Sequence, residues 1–276
     1  MEDSFSILKL EREPCEEALE RGREQEIKHF VFEDLLDTHE KLLCYSLELS
    51  REFSTFSYIL KKEKHSFFSR DEERELGCYL GYKGGSLYTF EDFNFKIQSL
   101  EDFTLLTEAV EITSGVSFYF ELCNLCQLPE KLTGEQEVIL SLYSNQVKKL
   151  LPLQRFDQVA DENREILKLA VKGNEKALEK LEREIGEEET RRLINELKKR
   201  PEELFDTCVF SSGNSYYVIG IVTAVKEVEL GGRELLSIDI YAEELDFTVL
   251  TPADGQRPVE EERIAVNGKM FGMAVI

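Results

Sequence analysis

A chain of 276 residues is long enough for two cores, and 42% hydrophobic with 33% charged residues reads as globular rather than disordered or fibrous. Its net charge is −22, and no segment is basic: 17 basic against 30 acidic side chains over 1–153, 12 against 15 over 154–206, and 5 against 11 over 207–276. Nucleic acid is therefore not an expected partner, and neither is a membrane, because no apolar run approaches the roughly 18 residues that span a bilayer.

Met1-Glu2-Asp3 lacks the basic-then-apolar order of a secretory signal, so the expected setting is the cytoplasm, where the six scattered cysteines would be free thiols. Pro14 suits a first helical turn and opens a Glu-rich helix over 15–28. Between 29 and 60 two signals compete. Phe30-Val31-Phe32 and Phe56/Tyr58/Leu60 are strand-like, while 35–49 also suits an amphipathic helix. Residues 61–76 read as a charged loop or exposed hairpin, and Lys83-Gly84-Gly85-Ser86 is turn chemistry. Phe93, Phe95 and Ile97 alternate with polar neighbours, as do Val116, Phe118, Phe120 and Leu122, which predicts two half-buried strands. The stretch 138–153 fits a helix or a hairpin turning at Ser144-Asn145; its β-branched residues favour the hairpin.

The composition changes at Asp157, and three short helices follow over 161–172, 174–185 and 187–199, stopped by Pro201. Leu178, Leu181 and Ile185 share one face of the second. In the third, Glu187–Glu189 and Lys198, Lys199, Arg200 complement the helix dipole, and Glu187–Arg191 and Glu188–Arg192 add i,i+4 pairs worth about 0.3 kcal/mol each. From 204 onward, short apolar or alternating runs are separated by Gly231-Gly232, Asp254-Gly255 and Asn267-Gly268. About five antiparallel strands in this space suit a small closed barrel of OB type.

Three stretches, taken together, carry a resemblance: Gly115-Val116-Ser117-Phe118-Tyr119-Phe120 with Asn124, Gly173-Asn174-Glu175-Lys176-Ala177 with Leu181, and Leu204-Phe205-Asp206 leading to Tyr217-Val218-Ile219-Gly220-Ile221-Val222. Over roughly 77–276 the chain resembles an uncharacterised family of anaerobic Gram-positive bacteria. That resemblance implies an N-terminal α+β region, a helical connector and a C-terminal barrel-like region. It implies no activity.

Candidate chemistry is incomplete at each position. Cys123-Asn124-Leu125-Cys126 has metal or redox spacing, but a zinc site needs a second ligand pair and a thioredoxin-type pair should open a helix. Packing is the expected role. His39-Glu40 begins like a zincin helix, yet Leu43 stands where the second histidine belongs; His29 and His65 are the other histidines. Gly81-Tyr82-Lys83-Gly84-Gly85-Ser86 lacks phosphate-loop spacing. The acid clusters Glu72/Glu73, Glu243/Glu244 and Glu260/Glu261/Glu262 read as solvated faces, and either Tyr216 or Tyr217 could stack a ligand.

These readings combine into an α+β protein: a mixed domain over 1–153, a helical connector over 154–203 and an OB-like antiparallel barrel over 204–276. No catalytic residue, metal ligand or cofactor is assigned. The expected function is a non-catalytic, cytoplasmic protein-interaction protein, an adaptor or scaffold, with a protein partner or self-association. One alternative is a ligand-binding protein or hydrolase with acids gathered between domains; a second is an acidic nucleic-acid mimic.

Overall fold

Alternation and turn chemistry resolve into two β-sheets in the computed structural model, which describes residues 3–28, 32, 35–63, 72–97, 99–101, 103–129, 134–153 and 158–276. Helices α1 (Ser4–Ile7) and α2 (Glu13–Arg21) come first. Helix α2 opens on Pro14 as expected but ends at Gly22, and the chain turns into β1 (Arg23–Glu26) rather than staying helical to 28. Strands β2 (Glu40–Glu48), β3 (Phe53–Lys62) and β4 (Glu72–Tyr82) complete an antiparallel sheet in the order β1-β2-β3-β4. The competition over 35–49 thus ends in a strand from Glu40, paired with β3 from Glu40↔Lys62 to Glu48↔Ser54. Residues 61–76 are an exposed hairpin whose tip, 64–71, lies outside the described residues, as do Phe30 and Val31.

Helix α2 packs on β2 and β3, and a disulfide joins its Cys15 to Cys78 of β4, with Cα atoms 6.1 Å apart. This corrects the expectation of six free thiols. The partners are 63 residues apart in sequence, a separation that carries no spacing signal. Cys44, Cys123, Cys126 and Cys208 are free and buried.

The second sheet takes β5 (Ser86–Phe95), β6 (Leu106–Glu111), β7 (Ser117–Leu122), β8 (Gln136–Tyr143) and β9 (Val147–Leu150). After helices α3 (Gln158–Val171), α4 (Glu175–Ile185) and α5 (Glu187–Lys199) it adds β10 (Cys208–Ser212), β11 (Ser215–Leu230), β12 (Arg233–Ala242), β13 (Leu245–Pro252) and β14 (Arg263–Ala274). Eight strands close a barrel in the order β11-β12-β13-β8-β5-β6-β7-β14, because β14 also pairs with β11. An antiparallel β8–β14 pairing, Val138↔Ala274 to Leu142↔Met270, crosses this circuit. It divides the barrel into two five-stranded rings that share β8 and β14: one with β11, β12 and β13, the other with β5, β6 and β7.

Two turn expectations fail for the same reason. Strands β8 and β9 do not form a hairpin; they lie end to end along one edge of β14, Val147↔Val266 continuing where Leu142↔Met270 stops. Asn267-Gly268 is no turn either, since β14 runs through it unbroken. Gly268 is there because a side chain would collide with the Tyr143 carbonyl, so the glycine serves close strand approach rather than chain reversal. Strand pairing also runs across the positions expected to divide domains: the C-terminal strands close a ring only by bonding to β8.

The three helices fall where expected. Asn174 caps α4, accepting from the Ala177 amide at 3.1 Å, and Arg191 pairs with Glu187 at 2.8 Å. Arg192 pairs with Glu189 and Glu196 rather than Glu188; of the three residues that share a face of α4, Leu181 is buried and Ile185 is exposed. Ala177, Leu181 and Ile194 pack with Phe205, Cys208, Ile219 and Ala265, so the helices cover the outer face of β10, β11 and β14. A single larger cluster fills both sheets, from Phe5 and Cys44 to Phe120, Tyr143 and Phe247.

Candidate functional site: a lysine-lined cleft

The residues singled out by motif are mostly structural. Cys123 and Cys126 are buried; the Cys123 thiol donates to the Leu80 carbonyl at 3.6 Å and burial pushes its pKa well up, while Cys126 lies against Cys44 and Tyr58. No cluster of three metal-binding side chains occurs among the described residues. His39 is exposed in the turn before β2, and His29 and His65 lie outside the described residues. Lys83 pairs with Glu48 at 2.6 Å, and Gly85 packs so tightly on Ser141 and Leu140 that no phosphate cradle is left. The turn at Lys83-Gly84-Gly85 carries the chain from one sheet to the other instead of closing a hairpin. Glu72 and Glu73 lie on an exposed strand end; Glu243 and Glu244 make the β12–β13 turn at positive φ. Glu262 pairs with Lys149 at 2.9 Å, which with a Val259 amide bond holds its carboxyl below the ordinary range.

Tyr216 and Tyr217 divide the roles expected of one. Tyr216 faces inward and its hydroxyl accepts from the Tyr119 amide at 2.9 Å; burial pushes its pKa up to about 12. Tyr217, on the opposite face of β11, is half-buried and opens onto a cleft of about 790 Å³.

That cleft lies between the C-terminal end of α5 and the strands β9, β11 and β14. Four lysines reach it: Lys148 from β9, Lys198 and Lys199 from the last turn of α5, and Lys269 from β14. Glu202 is the one carboxylate in its lining among the described residues. Lys148 Nζ stands 2.9 Å from Glu202 Oε1, and the Tyr217 hydroxyl donates to Oε2 at 3.4 Å. Burial pushes the Glu202 carboxyl up, but these partners outweigh it and hold the pKa below the ordinary value. Burial also raises the Tyr217 hydroxyl, reinforced by the Glu202 charge. Lys198 and Lys199 have no ion-pair partner among the described residues, although the chain carries 56 acids.

Arg263 ties together the segments that carry Glu202 and Lys148. It is 7% exposed, and its guanidinium donates to the carbonyls of Leu151 at 2.8 Å, Asp206 at 3.0 Å, Glu202 at 2.6 Å and Phe205 at 2.5 Å. No carboxylate meets it in an ion pair among the described residues. Four carbonyls from two connecting segments satisfy it instead, which pins the 202–206 turn and the end of β9 against β14.

Chemically the cleft offers ammonium donors, the amides of Asn145, Gln146 and Asn267, and the rings of Phe210 and Tyr217. It suits binding of an anion with an apolar body. Sequence reading missed it because the lysines come from positions 148, 198, 199 and 269, each in a segment whose own balance is acidic. A second cavity of about 420 Å³ adjoins it, sharing Lys198 and Phe210 and adding Lys172. Among the described residues, no helix is long and apolar enough to cross a membrane. No protein family, curated protein or solved structure matches the chain.

Proposed function

We propose that this is a non-catalytic binding protein that engages an anionic partner at the lysine-lined cleft. The observation that carries the reading is the pair Lys198 and Lys199, which face a 790 Å³ cleft without a carboxylate partner in a chain of net charge −22. Other surface lysines are paired, as Lys9 is with Asp254 and Lys41 with Glu63, or stand unpaired among the described residues on an exposed helix face, as Lys176 and Lys180 do; Lys198 and Lys199 differ from these in lining a cleft. Unpaired cations held in a concave site raise the local concentration of an anion, whereas an acidic remainder repels misplaced ones. The ring that walls the cleft has five strands, the number in an OB-type barrel, and we read it as OB-like in use: a binding face on a closed scaffold.

The test uses two probes, inorganic tripolyphosphate and an acidic hexapeptide of alternating Glu and Val, titrated into the full chain at low salt. At least one saturates, and Lys198→Glu with Lys199→Glu weakens it by about tenfold or more, equivalent to about 1.4 kcal/mol. Saturation by neither probe overturns the proposal.

We also propose a cytoplasmic setting and membership of the Gram-positive family named above. The four buried free thiols support the first; the Cys15–Cys78 disulfide weighs against it. Alkylation in denaturant without reductant, on protein quenched in the cell, captures six thiols if the setting is reducing. Four would place the protein in an oxidising compartment.

A further inference from the structure

Resting on the cleft reading above, we infer that the occupant is an extended acidic segment of a partner protein, which adds a strand to the open edge of β10. Among the described residues, strand β10 is terminal in the sheet and pairs only with β11. Ser212 and Ser215 close the two-residue turn at Gly213-Asn214, so with Phe210 and Cys208 they bond inward to β11. Val209 and Ser211 then point their backbone groups outward. The Val209 amide is taken by Glu243 Oε2 at 3.3 Å, which fixes this alternation and leaves the Val209 carbonyl and both backbone groups of Ser211 on the open edge.

Beside that edge lies the 420 Å³ cavity, bounded by Val209, Phe210 and Ser211 on one side and by Val171, Lys172 and Lys198 on the other. It meets the larger cleft at Phe210 and Lys198, so the two form one basic groove from the end of α3 to β14. A compact anion would fill one part of such a groove. An extended chain uses all of it: main-chain bonds to Ser211, apolar side chains toward Phe210, carboxylates toward Lys198 and Lys199. Strand addition of this kind draws affinity from the backbone and specificity from alternate side chains. Short length and nearby lysines also guard edge strands against aggregation, but guarding needs no cavity along the edge.

The same acidic hexapeptide is compared with an analogue N-methylated at alternate residues and with tripolyphosphate, on the native full chain and on Ser211→Pro. Proline at an outward-facing edge position removes the amide without breaking the ladder to β11. The peptide binds, N-methylation weakens it about tenfold, and Ser211→Pro does the same while leaving tripolyphosphate within about twofold. Equal binding of peptide and methylated analogue overturns strand addition even if Ser211→Pro fails to fold. Binding of tripolyphosphate alone also overturns it and points to a compact phosphate ligand, with the cleft reading intact. Saturation by neither probe removes both.

Discussion

Arg263 brings together parts of the chain that lie far apart in sequence. Replacing it with Met would strand the carbonyls of Leu151, Glu202, Phe205 and Asp206 in a site where water has little access. Hydrogen bonds to a charged group contribute about 1.5–3 kcal/mol each when a partner is removed, and the loss here is expected to total at least about 3 kcal/mol. Urea denaturation checks this, and anion binding at the cleft should weaken in parallel, since Glu202 and Lys148 lose their common anchor. An unchanged midpoint would show that the carbonyls find other donors. Nothing in the sequence marks Arg263 as buried. It looks like one more surface charge after Glu260, Glu261 and Glu262, and only the fold supplies four carbonyls around it.

At the scale of elements, period-two alternation located β7, and glycine and proline punctuation located α3 to α5, because both signals are local in sequence. What alternation does not contain is the neighbour. Strands β8 and β9 alternate as a hairpin would, yet they share an edge of β14 instead of pairing with each other. The Asn267-Gly268 pair reads as a turn for the same reason. Gly268→Ala would drive a methyl into the Tyr143 carbonyl and is expected to cost about 2 kcal/mol, in the range of overpacked cores. Gly255, which has open space around it, is the control: Gly255→Ala should leave the thermal midpoint unmoved. Comparable effects at both positions would mean that backbone freedom rather than close approach keeps Gly268.

For the whole molecule, an α+β chain with a closed barrel was legible, but the unit of closure was not. Residues 204–276 supply β10 to β14, and no pairing among them closes the circuit from β13 back to β14 without β8. Expressed alone, this segment should show no cooperative unfolding transition by circular dichroism, and the apolar faces of Val249, Leu250 and Phe271 would be left uncovered. A cooperative transition in that fragment would mean that its strands can pair in another order. The cleft follows the same logic, since its lysines meet only after β9, α5 and β14 have been brought to one side of the barrel.

The wall shared by both rings also sets an order of events during synthesis. Until residues 263–274 have left the ribosome, neither ring has its second shared strand, and β5 to β8 and β11 to β13 must wait with bonding edges open. Long-range pairing of this kind folds slowly. The antiparallel sheet of β1 to β4, whose pairings are complete by Tyr82, can be finished long before. Nascent chains of this protein should therefore carry a structured beginning and an unclosed remainder, and a chaperone that shields strand edges would find its substrate in that interval.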